Sequence, residues 1–104
     1  MLPDLESLRC FDAAAHHLNF RMAARAVGLS PAAFGDRIKR LEDVFEAKLF
    51  ERTTRRVLLT PAGERLWPQA RRCLQAAAGC HDAVAGDDVR PPFQLTIGTR
   101  FELG

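Results

Sequence analysis

Asn19-Phe20-Arg21-Met22-Ala23-Ala24-Arg25-Ala26-Val27-Gly28-Leu29-Ser30-Pro31-Ala32-Ala33-Phe34-Gly35-Asp36-Arg37-Ile38-Lys39-Arg40-Leu41 is the stretch that decides the fold. Asn19 can cap a short helix over residues 20–27, with Phe20, Ala23, Ala24 and Val27 on its inward face. Gly28 has the backbone freedom to leave that helix, and Leu29 plugs the core at the turn. Ser30-Pro31 then opens a new helix: a capping hydroxyl, followed by proline at the first helical position, where its missing N–H costs nothing. Phe34, Ile38, Leu41 and Phe45 follow at intervals of four, three and four, which predicts a core stripe. Ala32, Gly35, Asp36, Lys39 and Asp43 fall on the opposite face. Two helices joined by a short turn containing glycine make a helix-turn-helix, and Ala24 and Gly28 are small where the helices must approach closely.

Upstream, Leu5, Leu8, Phe11 (with Ala15) and Leu18 recur at helical spacing, so residues 4–18 read as an amphipathic helix capped by Asp4. Downstream, Leu49-Phe50-Glu51-Arg52 and Val57-Leu58-Leu59 flank the basic tip Thr53-Thr54-Arg55-Arg56, the pattern of a β-hairpin without an Asn-Gly turn. Thr60-Pro61 is a second cap-plus-proline start, and the sequence stays helix-friendly to Ala85. Along that helix Leu66, Ala70, Cys73, Ala77, Cys80 and Val84 are spaced 4, 3, 4, 3, 4, a heptad seam. A helix of ~25 residues is about 37 Å long, more than so small a domain can bury alone. The seam could pack on the chain's own core or on a second subunit. Its small residues favour the subunit, which predicts a homodimer through residues 61–85. Pro68 removes a backbone hydrogen bond and predicts a kink near the start of this helix. Gly86 to Pro92 reads as a hinge, and Phe93 to Gly98 as a single strand belonging to a second domain.

With 104 residues, 47% apolar and 27% charged, the chain has the composition of one ordinary globular domain with a modest core. The N-terminus lacks the basic start and apolar run of a signal peptide, and no stretch is long and apolar enough to span a bilayer, so a cytoplasmic location is expected. The formal charge of +2 is unevenly spread. Residues 1–18 carry −2 (Arg9 against Asp4, Glu6 and Asp12), while residues 19–60 carry +4, with nine Lys or Arg against five Asp or Glu. Residues 61–104 balance to zero, so an anionic partner would be met in the middle segment.

Cys10, Cys73 and Cys80 form no CxxC pair, and they read as small apolar residues rather than as a disulfide framework or a redox sensor. His16, His17 and His81 do not join them at metal-ligand spacing, so neither a metal nor a cofactor is expected, and His16 and His17 read as a solvated helix end. There is no nucleophile–base constellation and no Gly-rich phosphate loop, which speaks against an enzyme.

Residues 5–63 resemble the N-terminal region of LysR-type transcriptional regulators. The matching elements are Leu8 with Phe11, Phe20 with Ala23-Ala24, Ser30, Ile38 with Leu41-Glu42, Leu49-Phe50 with Arg52, and Leu59-Thr60 with Gly63. Each is weak alone, but their order and spacing together are specific. The resemblance implies a mostly α fold in three parts. Residues 1–60 form a winged helix-turn-helix that binds double-stranded DNA, and residues 61–86 form a linker helix that dimerises. Residues 87–104 carry a hinge and the first strand of an effector-binding domain. It further implies a third helix in the major groove, a hairpin wing near the adjacent minor groove, tetramers in the full-length protein, and a small-molecule effector bound by the remaining domain.

The expected DNA surface combines Ser30, Pro31, Ala32, Gly35 and Asp36 on the third helix with phosphate-contacting Arg21, Arg37, Lys39, Arg40, Arg52, Arg55 and Arg56, and with Thr53 on the wing. Several positions depart from the family's usual pattern: Pro31, Gly35 and Asp36 stand where Gln, Ser and Arg are usual. Glu46 replaces a turn glycine, and Arg21 a threonine. Asp36 and the loss of polar readers on the third helix support a second reading, a winged-helix dimer whose weakened DNA face serves as a protein-interaction module.

Overall fold

A computed structural model describes residues 1–86, in the order α1 (Leu5–His17), α2 (Phe20–Val27), α3 (Pro31–Phe45), β1 (Phe50–Arg52), β2 (Val57–Leu59) and α4 (Pro61–Ala85). The expected hinge beyond Gly86 and the strand from Phe93 lie outside the described residues. Every helix starts where a short polar side chain can satisfy an orphan amide. The Ser7 amide donates to Asp4 at 3.3 Å, Met22 to Asn19 at 2.9 Å, Ala33 to Ser30 at 3.2 Å and Gly63 to Thr60 at 3.1 Å.

The helix exits differ in cost. Gly28 takes the left-handed region at φ 75° as glycine readily does, whereas Leu18 and Glu46 occupy it at φ 52° with side chains attached. At Glu46 the strain is offset by a Schellman closure. The Ala47 amide donates to the Glu42 carbonyl at 3.1 Å, and the Glu46 amide to that of Asp43 at 3.3 Å. The turn after α3 is therefore made in the left-handed conformation with glutamate.

The core gathers Leu8, Phe11 and Ala14 of α1, Ala23 and Ala24 of α2, and Phe34, Ile38 and Leu41 of α3, together with Leu49, Phe50 and Ala70. Cys10 is fully buried in it, which pushes its thiol pKa up and leaves it inert. The ends of the expected stripes are not covered. Leu5 is 51%, Leu18 41% and Phe45 38% exposed, because packing partners reach only the middle turns of α1 and α3. Leu18 also leaves helical register through its left-handed backbone.

α4 runs unbroken through Pro68, whose ring faces solvent, at the cost of the donor to the carbonyl four residues earlier. The heptad seam divides in two. Ala70 is 1% exposed, and Leu66 and Cys73 are half-buried, so these three pack against the chain's own core. Ala77 is half-buried and Cys80 exposed, and Val84 is 89% exposed. A hydrogen bond from Trp67 Nε1 to Asp12 Oδ1, 2.8 Å, fastens the first half of α4 to α1. The second half extends beyond the packed helices.

Candidate nucleic-acid interface

The recognition face of α3 is open. Ser30, Pro31, Ala32, Asp36, Lys39 and Arg40 are exposed, and Gly35 is half-buried. Ser30 is fixed by its capping bond. A Cβ at Gly35 would meet nothing within 4 Å, so the chain's own packing does not require glycine there. A mid-helix glycine costs about 1 kcal/mol relative to alanine, which leaves the outer surface of α3 as the place where its smallness has a use.

Arg37 behaves differently from the other expected phosphate ligands. Its Nη1 lies 3.1 Å from Asp4 Oδ2, with the side chain 34% exposed, so it ties α3 to the cap of α1. That pairing places Arg37 at the junction of α1 and α3. The hydrogen bond from Ser7 and, more weakly, the charge of Arg37 hold the Asp4 carboxyl below its ordinary value. Arg21, Lys39, Arg40, Arg55 and Arg56 are exposed and make no ion pair among the described residues.

The wing is built on threonine. β1 and β2 pair antiparallel with Phe50 opposite Leu59, Glu51 opposite Leu58 and Arg52 opposite Val57. The Thr53 amide donates to the Arg56 carbonyl at 2.9 Å, and Thr53 Oγ1 accepts from the amides of Arg55 (3.3 Å) and Arg56 (3.0 Å). That local cage replaces the missing Asn-Gly signal and leaves both arginine side chains outward.

At its base the wing is fixed to α3 by a buried carboxylate that sequence reasoning did not single out for this job. Glu42, 7% exposed, accepts from the Leu49 amide at 2.8 Å, and Lys48 Nζ lies 3.9 Å from its other oxygen. The signal was present, since Glu42 follows Ile38 by one helical turn on the apolar stripe. Thr60 completes the join: its amide donates to the Leu49 carbonyl (3.0 Å), and its hydroxyl to that of Lys48 (2.7 Å). Gly63 fits against the same strand, where a Cβ would collide with the Leu49 carbonyl oxygen and sit 2.8 Å from Leu59 Cδ2.

Phe20, the first residue of α2, joins all of these parts. Its ring stands edge-on to Phe34 in α3 (5.5 Å between centroids) and to Phe50 in β1 (5.3 Å). The guanidinium of Arg52 lies over it at 4.8 Å. The starts of α2 and α3 and the base of the wing therefore adjoin. Among the described residues no group of three His, Cys, Asp or Glu side chains could hold a metal ion, and no helix is long and apolar enough to cross a membrane.

Residues 5–64 match the family of bacterial regulatory helix-turn-helix proteins of the lysR type. The chain is 50% identical over 91 residues to a probable hydrogen peroxide-inducible genes activator of Streptomyces viridosporus, covering 88% of this chain and 28% of that protein. It is 39% identical over 105 residues to the transcriptional regulator DmlR of Escherichia coli, covering 99% of this chain and 34% of that protein. The chain thus spans about a third of the length of these curated relatives. Among solved structures, oxidised OxyR of Corynebacterium glutamicum superposes with a TM-score of 0.79 at 34% identity, over 85% of this chain and 27% of that one. The DNA-binding domain of CbnR in its DNA complex superposes with a TM-score of 0.75 at 29% identity, over 79% of this chain and 94% of that one. Matched over more than half its length, with the four helices and two-stranded wing in the same arrangement, the chain belongs to the LysR family of bacterial regulatory helix-turn-helix proteins.

Proposed function

We propose that this chain is the sequence-specific DNA-binding part of a transcription regulator, with α3 in the major groove of double-stranded DNA and the β1–β2 wing near the adjacent minor groove. The observation that carries the reading is the set of exposed cations on adjoining elements, without ion-pair partners among the described residues: Arg21 on α2, Lys39 and Arg40 on α3, and Arg55 and Arg56 on the wing. Cations so placed neutralise phosphates and set the register, while Ala32, Gly35 and Asp36 lie on the helix face that would read base edges. The solved DNA complex of CbnR supports DNA as the partner over a protein-interaction role for the same face.

The second half of α4, with half-buried Ala77 and exposed Cys80 and Val84, is the surface through which two copies would pair and present two recognition helices to a two-fold-related site. Assembly into tetramers and response to a small-molecule effector would belong to the full-length protein. A titration of duplex binding against salt tests the reading: affinity should fall steeply as salt rises, since each neutralised phosphate releases counterions. Random-site selection should then return a preferred sequence. Binding indifferent to salt, or no enrichment of any sequence, would leave only the interaction-module reading.

A further inference from the structure

Arg52 differs from the other cations of this surface in being held before any ligand arrives. It closes β1, just ahead of the Thr53 cage, and its guanidinium lies 4.8 Å above the centre of the Phe20 ring. Phe20 itself packs edge-on to both Phe34 and Phe50, and Phe50 in turn packs at a 54° tilt against Phe11 in the core, 5.4 Å between centroids. A path of three rings, Phe11, Phe50 and Phe20, with Phe34 beside the last, thus runs from the centre of the domain to the underside of one surface arginine. A long side chain loses rotamer freedom when it binds a phosphate, and a guanidinium already stacked on an aromatic face has given up part of that freedom in the free protein.

We propose that Phe20 is a positioning residue for DNA binding, which holds the Arg52 guanidinium over the first turn of α2 so that it meets a backbone phosphate beside the wing. The inference rests on the DNA-binding reading above and adds to it a specific pair. Phe20 touches no DNA itself. It acts through Arg52, and it couples the setting of the wing to that of the two helices of the helix-turn-helix. Removing the ring's face while keeping its bulk should free the arginine and weaken binding, without altering the charge that the protein carries.

The test is a double-mutant cycle on the full chain, with a fluorescently labelled mixed-sequence duplex as the probe, read by anisotropy over a range of salt. Phe20→Leu should weaken binding about two- to five-fold, the size of an exposed cation–π contact, and Phe20→Tyr, which keeps the π face, should bind like the unaltered chain. Arg52→Ala should flatten the salt slope by about one phosphate's worth, and Phe20→Leu should have no further effect in that background. If Phe20→Leu weakens binding equally with and without Arg52, its role is packing and the proposal falls. Should Phe20→Leu fail to fold, Arg52→Lys carries the test, because an ammonium keeps the charge but not the planar stacking. Weaker binding of Arg52→Lys is expected, and affinity equal to the unaltered chain overturns the proposal. Failure of the DNA-binding reading is separately visible, as a lack of salt-dependent binding by the unaltered chain before any variant is compared.

Discussion

Asp36 sits exposed on the outer face of α3, one turn from Ala32 and beside Lys39. If α3 enters the groove, its carboxylate lies either among base edges or close to a phosphate. Among bases it can accept from a cytosine amino group, and Asp36→Ala should then relax preference at one base pair by about 1–3 kcal/mol. Close to a phosphate it repels, and Asp36→Ala or Asp36→Arg should raise affinity across all sequences. The short reach of aspartate favours the second outcome, and a panel of single-base operator variants separates the two. No change in affinity or preference would mean that this face does not meet DNA. Gly63 is a structural counterpart whose place is fixed from within. A methyl group there must displace the Leu49 carbonyl, which is already engaged by the Thr60 amide. Gly63→Ala should therefore cost about 1–3 kcal/mol of stability, as overpacking does, read as a lowered urea midpoint.

At the scale of elements, the wing is a short hairpin whose shape is set by Thr53 and whose charge is set by Arg55 and Arg56. Neither arginine makes an ion pair among the described residues, so Arg55→Ala with Arg56→Ala should leave thermal stability nearly unchanged. The double change should weaken binding to all duplexes and flatten the salt slope. A slope left unaltered would remove the wing from the phosphate-contacting surface. The junction of α1 with α3 is governed instead by Asp4, which caps one helix and pairs with Arg37 on the other. Because its folded pKa is lowered, the unfolded chain binds the proton more readily, and the stabilisation is present above the ordinary value of 3.8 and lost as pH falls through the folded pKa. Asp4→Asn keeps a capping oxygen but does not titrate, so its urea midpoint should fall less steeply than that of the unaltered chain below pH 3.8.

The molecule as a whole is a packed winged helix-turn-helix from which half a helix projects. The first half of α4 is secured by Ala70, Leu66 and the Trp67–Asp12 bond, while Ala77, Cys80 and Val84 continue the same seam with no intrachain core beneath its outer end. In the dimer proposed above, this surface would be buried against the second copy. Ala77→Glu should therefore convert a dimer into a monomer in sedimentation experiments, since it would place an unpaired charge in the interface. It should leave the helical content of residues 1–70 intact. A monomer at tens of micromolar for the unaltered chain would show that the exposed seam does not dimerise.

How these features were legible differs for a physical reason. Helix starts at Asp4, Asn19, Ser30 and Thr60 could be read directly, because a cap is a bond between residues three apart and needs no tertiary partner. The core stripes of α1 and α3 were equally visible as periodicity, and so was the concentration of positive charge between residues 19 and 60. By itself the sequence thus determined the elements of residues 1–86 and their order, and the family resemblance of its motifs determined the winged helix-turn-helix. What it left undecided were pairings between residues distant along the chain: Arg37 claimed by Asp4, Arg52 laid over Phe20, Trp67 bonded to Asp12, and Glu42 holding Leu49. The division of the α4 seam belongs to the same class. Leu66 and Val84 obey one spacing rule, and only the position of α1 beneath the first half of the helix makes one of them core and the other surface. Local caps and periodicities are encoded residue by residue, whereas the partner of a long side chain depends on where the folded backbone brings the two ends together.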